Sequence, residues 1–169
     1  MMQILTLKGW GVLAGTGALA GLLACAAAVC PDVALVNESA SLPRGLYVRQ
    51  PGARLERGAV TAVEQPQAAR AYLAELGAPP DMLLIKRVAA QGGDRVCRDR
   101  DRIRLPAQVA AVALNDRRGA TLPVWSACRR LSADEVFLLG DTDTSFDSRY
   151  FGPVRRSDLR GAYRLVLTW

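Results

Sequence analysis

Two features of this 169-residue chain could do chemistry, a lysine inside an apolar run and serines inside a turn. Lys86 lies in MLLIKRV, residues 82–88. An apolar strand is a costly place for an ammonium group, because burial disfavours the charged form and can lower a lysine pKa by ~3–5 units. A lysine near neutral pKa can take a proton from a serine hydroxyl. A lysine on the exposed face of an edge strand would read the same from this run alone. The serines lie in NESASLPRGLY, residues 37–47, where Ser39 and Ser41 alternate ahead of Pro43 and Gly45. Serines of that kind are also ordinary turn residues. A third polar block, GDTDTSFDSRYFG, spans residues 140–152. Ser145, Asp147 and Arg149 alternate in it, so in an extended strand they would share one face. Such a set could orient a lysine and satisfy a buried charge network; a polar loop with an Asp-Arg pair is the plainer reading.

Composition narrows the options. The chain has no histidine, which excludes a Ser-His-Asp triad and a histidine-ligated metal; no cofactor or metal is expected. Lys8 and Lys86 are the only lysines among 22 Lys and Arg residues. Arginine cannot lose its proton in a protein, whereas a desolvated lysine can. The formal net charge is +6, but the arginines form no run of five and no aromatics interleave them. This fits a solvated surface suited to anionic lipid, with no nucleic-acid partner.

The elements that must position these residues can be read along the chain. Residues 10–30, WGVLAGTGALAGLLACAAAVC, are uncharged and as a helix would span about 31 Å, enough for a bilayer core. With Lys8 before it and Asp32 and Glu38 after it, the positive-inside rule places the start of the chain in the cytoplasm and the remainder outside. A cleaved signal peptide ending near Ala26–Ala28 and a lipoprotein-type box at residues 22–25 are the rival readings, and all three export the remainder. The expected organisation is a cytoplasmic tail at 1–8, a transmembrane anchor at 9–30 and one exported domain at 31–169.

That domain should be mostly β. Strands are expected at residues 46–49, 59–63, 82–88, 136–139 and 162–168, and a hairpin of 109–114 with 121–125 around NDRRG. One short helix is expected at residues 67–76, with Pro66 at its start and Gly77 just past its end. Cys97 and Cys128 fall in the exported part, where an oxidising compartment permits them to pair.

The three polar blocks, in this order and behind an anchor, resemble the Ser/Lys signal peptidases of the type I leader peptidase superfamily. Ser41-Leu42-Pro43 is similar to the nucleophile box. Ile85-Lys86-Arg87-Val88 with Gly92-Gly93-Asp94 is similar to the general-base box. Gly140-Asp141 with Ser145 to Gly152 is similar to the last box. Within the superfamily the likeness is greatest to the conjugative-transfer branch, the TraF type. The last box departs from the bacterial leader-peptidase pattern, which has Asn where this chain has Thr142 and one more residue before the serine.

The resemblance implies a signal-peptidase-like β domain and a role for each residue. Ser41 would be the nucleophile, Lys86 its general base, and Asp147 a further catalytic carboxylate. The Ser41 amide and the Ser39 hydroxyl would form the oxyanion hole, worth ~3–4 kcal/mol of barrier per donor. Ser145 would orient Lys86, with Arg149 in support. The implied protein is a single-pass inner-membrane serine endopeptidase with its catalytic domain in the periplasm. Its partners would be the lipid bilayer and a membrane-delivered protein substrate, a pilin-like precursor of a conjugation or type IV secretion apparatus. The rival functions are a general signal peptidase for secreted proteins, a non-catalytic anchored secretion component and a self-cleaving repressor-type protease.

Overall fold

The computed structural model describes residues 33–169, so the expected tail and anchor at 1–30 lie outside the described residues. Leu35–Trp169 forms one compact unit, which carries the site. Among the described residues no helix is long and apolar enough to cross a membrane.

Among the described residues eleven strands build two sheets: β1 (Ala34–Asn37), β2 (Gly45–Arg49), β3 (Val60–Val63), β4 (Leu84–Gln91), β5 (Arg95–Asp99), β6 (Arg102–Arg104), β7 (Val109–Ala111), β8 (Cys128–Arg130), β9 (Glu135–Leu139), β10 (Val154–Arg155) and β11 (Leu159–Thr168). The larger sheet runs β1-β2-β11-β3-β4-β9-β10 and the smaller β7-β6-β5-β8. Helix α1 covers Gln67–Glu75 and a single turn, α2, covers Ser148–Phe151. The class is the mostly β one expected, but with this second helical turn added.

The long strand β4 is the spine of the site. Six of its eight residues are buried, so burial does not alternate and both faces are covered. It pairs with β3 from Val63↔Leu84 to Val60↔Arg87, which sets Thr61 opposite Lys86. Its ladder with β9 starts only at Arg87↔Leu139 and shifts register between Val88 and Ala90. Residues 84–86 therefore have a strand on one side only.

Strand β11 pairs with both β2 and β3. It joins the half of the sheet that follows Ser41 to the half that holds Lys86. A cluster of Leu42, Tyr47, Ala62, Ile85 and Tyr163 packs across this junction. The chain neighbours of Ser41 and Lys86 are thus anchored in the same apolar contacts.

Several expectations need correcting. The strand expected at 82–88 begins at Leu84, because the Met82 amide bonds the Pro79 carbonyl in a turn, and it continues to Gln91 through the β9 pairing. The expected hairpin of 109–114 with 121–125 forms only at its tip, around residues 114–122. Val109–Ala111 instead pairs with β6, and the two arms meet at the Asn115↔Thr121 bridge, with the Leu122 amide donating to the Leu114 carbonyl and the Asp116 amide to the Ala120 carbonyl. Asp116 Oδ1 accepts from the Arg118 and Ala120 amides and closes that loop locally, while Pro123 has no N–H to give a ladder. Residues 145–149 do not form a strand. Asp147 caps α2 by accepting from the Arg149 amide at 3.2 Å, so the shared face inferred from alternation is absent. Helix α1 matches its expected span, and Gly77 follows it at φ +77°, a left-handed end that favours glycine. Cys97 faces Cys128 across β5 and β8 and is joined to it by a disulfide.

Candidate active site

The segment before β2 is folded by one side chain, Asn37 at the end of β1. Its Nδ2 donates to the carbonyls of Ser39 (3.1 Å), Leu42 (3.0 Å) and Pro43 (3.1 Å), and its Oδ1 accepts from the Ser39 hydroxyl at 2.8 Å. Tyr47 Oη adds a bond to the Pro43 carbonyl at 2.8 Å. The turn that presents Ser41 is therefore built by hydrogen bonds from inside, as buried backbone requires. Asn37 was not singled out from the sequence; an Asn followed by alternating serines and a proline is the signal that could have found it.

Lys86 reaches this turn from β4. Its Nζ donates to Ser41 Oγ at 3.0 Å across 45 positions of sequence, and only 5% of Lys86 is exposed. Ser39 Oγ lies 2.7 Å from Ser41 Oγ. The proton count orders this chain. Asn37 Oδ1 can only accept, so the Ser39 hydroxyl donates to it, and the Ser41 hydroxyl donates to Ser39. Lys86 is then the donor to Ser41, the arrangement of a protonated amine.

Burial pushes the Lys86 ammonium down from its ordinary 10.5 to about 8, against the opposing charge of Asp147 and with help from the Arg149 guanidinium. The amine can thus shed its proton at mildly alkaline pH, as an activated base requires.

The loop from Gly140 to Asp147 closes over the pair. The Asp141 amide donates to the Ser41 carbonyl at 2.6 Å. Arg149, 1% exposed, holds the loop from within. Its guanidinium donates to the carbonyls of Thr142 (2.8 Å), Asp143 (3.3 Å) and Ser145 (3.1 Å), and reaches Ala111 of β7 at 2.8 Å. Asp147 accepts from Arg149 Nε and Nη2 at 2.8 Å each and from the Gly140 amide at 2.9 Å. Burial pulls the Arg149 guanidinium down, but its bonds and charge pairing with Asp147 outweigh this and leave it above its ordinary value.

The sequence-expected residues fall into two groups. Ser39, Ser41 and Lys86 form one hydrogen-bonded line. Asp147 and Arg149 form a second, buried pair whose bonds run to each other and to loop backbone, so Asp147 acts on Lys86 through charge. Ser145 Oγ is buried in the same groove but bonds to no partner, which corrects the expected hydrogen bond to Lys86. Ser148, not singled out from the sequence, accepts from the Leu138 amide at 3.0 Å and ties α2 to β9.

Ser41 and Lys86 line a groove of about 420 Å³ whose walls include Val36, Leu73, Met82, Ile85 and Phe146. A buried serine–lysine pair, a site for acyl chemistry without histidine, thus opens on an apolar groove beside the one-sided start of β4. The chain belongs to the family described as "Signal peptidase, peptidase S26", which matches residues 7–169, and so to the serine peptidases. It is 38% identical over 171 residues to a plasmid transfer protein TraF of Escherichia coli, covering 94% of this chain and 89% of that one. A second Escherichia coli plasmid transfer protein TraF is 34% identical over 149 residues, covering 80% and 83%. Among solved structures, a signal peptidase I from Enterococcus faecalis is 20% identical with a TM-score of 0.41, covering 65% of this chain and 97% of that one.

Proposed function

We propose that this protein is a membrane-anchored endopeptidase that removes a leader or propeptide from an exported, pilin-like subunit of a conjugation or type IV secretion system. The observation that carries the reading is the 3.0 Å bond between Lys86 Nζ and Ser41 Oγ in a site where burial lowers the lysine pKa. The likeness to plasmid transfer proteins supports the choice of substrate over that of a general signal peptidase.

In this reading neutral Lys86 takes the Ser41 proton as Oγ attacks the scissile carbonyl. The C–N bond then breaks, and Lys86 returns the proton to the leaving amine. Lys86 next takes a proton from water as the water oxygen attacks the acyl-Ser41 carbonyl, and returns that proton to Ser41 Oγ as the ester C–O bond breaks. When the Ser41 hydroxyl turns toward Lys86, Ser39 would serve the developing oxyanion beside the Ser41 amide by exchanging its bond to Asn37 Oδ1 for one to that oxygen. Asp147 and Arg149 are positioning residues that hold the loop and set the charge around Lys86. An extended substrate could lie along the open side of residues 84–86 and add a strand there. The anchor at 9–30 would hold the site at the outer face of the inner membrane, where precursors emerge.

The test is co-expression with a candidate pilin precursor, followed by intact mass measurement of the precursor. Wild type should convert it to a shorter product. Ser41→Ala, Lys86→Ala and Lys86→Arg should leave it whole while the enzyme still accumulates in the membrane, because arginine cannot serve as a base. Normal conversion by Lys86→Ala would rule out the dyad.

A further inference from the structure

The loop that covers Lys86 has a second cavity behind it. This space, about 330 Å³, shares Thr144, Ser145 and Phe146 with the Ser41 groove, so those three residues form a ridge with a hollow on each side. Phe146 is the partition. Its ring lies 4.6 Å from Tyr72 of α1 and stacks on Tyr150 at 5.4 Å. The rest of the floor is apolar, with Leu122 and Ala113 among its lining.

Asn115, Asp116, Arg117, Arg118 and Asp143 stand among its polar lining. Asp116 accepts from the Tyr72 hydroxyl at 3.1 Å and from two loop amides, and lies 3.5 Å from Arg118. The apolar surface it offers a visitor comes from the rings of Tyr72, Phe146 and Tyr150 with Leu122 and Ala113.

On the reading that Ser41 cleaves an extended polypeptide, we infer that this second cavity is a substrate subsite for a bulky apolar or aromatic side chain some residues from the scissile bond. A chain lying in the Ser41 groove need only cross the Thr144–Phe146 ridge to reach it, so both hollows can be filled by one substrate. The groove at Ser41 and this cavity would then read two separate features of the same precursor. Recognition of a large apolar side chain in a preformed apolar hollow is worth a factor of 10 or more in kcat/KM for each methylene or so of added contact.

The test uses the full-length enzyme in detergent and a series of fluorogenic peptides with small residues at the scissile bond. One residue is varied among Ala, Asp, Leu and Phe at each position in turn on both sides of that bond. At one position Leu or Phe should exceed Ala by more than about tenfold in kcat/KM. Ala113→Phe, which fills the cavity from its wall, should bring that ratio close to one. Tyr72→Ala, which enlarges it, should shift the preference toward Phe. A flat profile at every position, or a preference that neither variant moves, overturns the subsite. Cleavage by the Ser41→Ala enzyme would overturn the peptidase reading itself, so the two failures are told apart.

Discussion

Gly140 has no side chain because Ser145 occupies the place where one would go. A Cβ at residue 140 would overlap the Ser145 hydroxyl and lie 2.8 Å from the Ser41 carbonyl oxygen. The strand end at β9, the covering loop and the nucleophile turn meet at that point with no free volume. Gly140→Ala should therefore displace either the loop or Ser41. Overpacking of this kind costs about 1–3 kcal/mol, and a shift of about 1 Å at a reacting atom can cost on the order of 100-fold in rate. Precursor processing and thermal melting measured on the same preparation should both fall; an enzyme with unchanged rate would contradict the contact.

Lys86 should impose an acid limb on the pH profile. With a pKa near 8, only about a tenth of the enzyme carries the neutral amine at pH 7. The kcat/KM for a peptide substrate should rise with pH and level off above about 9, with one ionisation near 8. A profile flat between pH 6 and pH 10 is incompatible with Lys86 as the base.

The same burial carries a stability cost whose sign can be worked out. The folded pKa of about 8 lies below the unfolded value of roughly 10.4. Between these two the unfolded chain binds more protons, so unfolding free energy rises with pH across that window; below it the full cost of burying the cation remains. Lys86→Met should be inactive yet more stable than wild type at pH 6, by about 1–3 kcal/mol. Melting curves at pH 6, 8 and 10 should show the advantage shrinking as pH rises.

Asp147 and Arg149 should behave as a structural unit. Asp147→Asn leaves a guanidinium that is 1% exposed without its charge partner, and breaking a buried pair typically costs about 3–5 kcal/mol. Chemical denaturation should show a loss of that order. A loss below about 1 kcal/mol would mean that water reaches the pair.

The disulfide closes a separation of 31 residues across the smaller sheet. On the chain-entropy account its removal costs about 3–4 kcal/mol. Cys97→Ala with Cys128→Ala should lower the unfolding midpoint accordingly, with non-reducing mass spectrometry of the parent confirming the bond.

How much of this was legible in the sequence depended on whether a signal was local. Ser41 and Lys86 stood out through residue type, because a chain that otherwise uses arginine kept lysine in an apolar strand. Helix α1 was bounded by Pro66 and Gly77. The smaller sheet was not legible, because β5, β6 and β8 are short and arginine-rich, and their outer face gives no apolar alternation. Nor was the turn at Asp147. Alternating Ser145, Asp147 and Arg149 look like one strand face until the carboxylate caps α2, and a cap competes with an extended strand through a bond to its own backbone. Asn37 escaped notice because its five hydrogen-bonding contacts only exist once the turn has closed around it.

The place of β11 between β2 and β3 has a consequence in time. A growing chain carries Ser41 and Lys86 long before residues 159–168 are made, yet nothing else in the larger sheet spans from the serine half to the lysine half. Without that strand the ladder would leave Ser41 and Lys86 on separate ribbons. On the proposed reading, peptidase activity would await completion of the sheet.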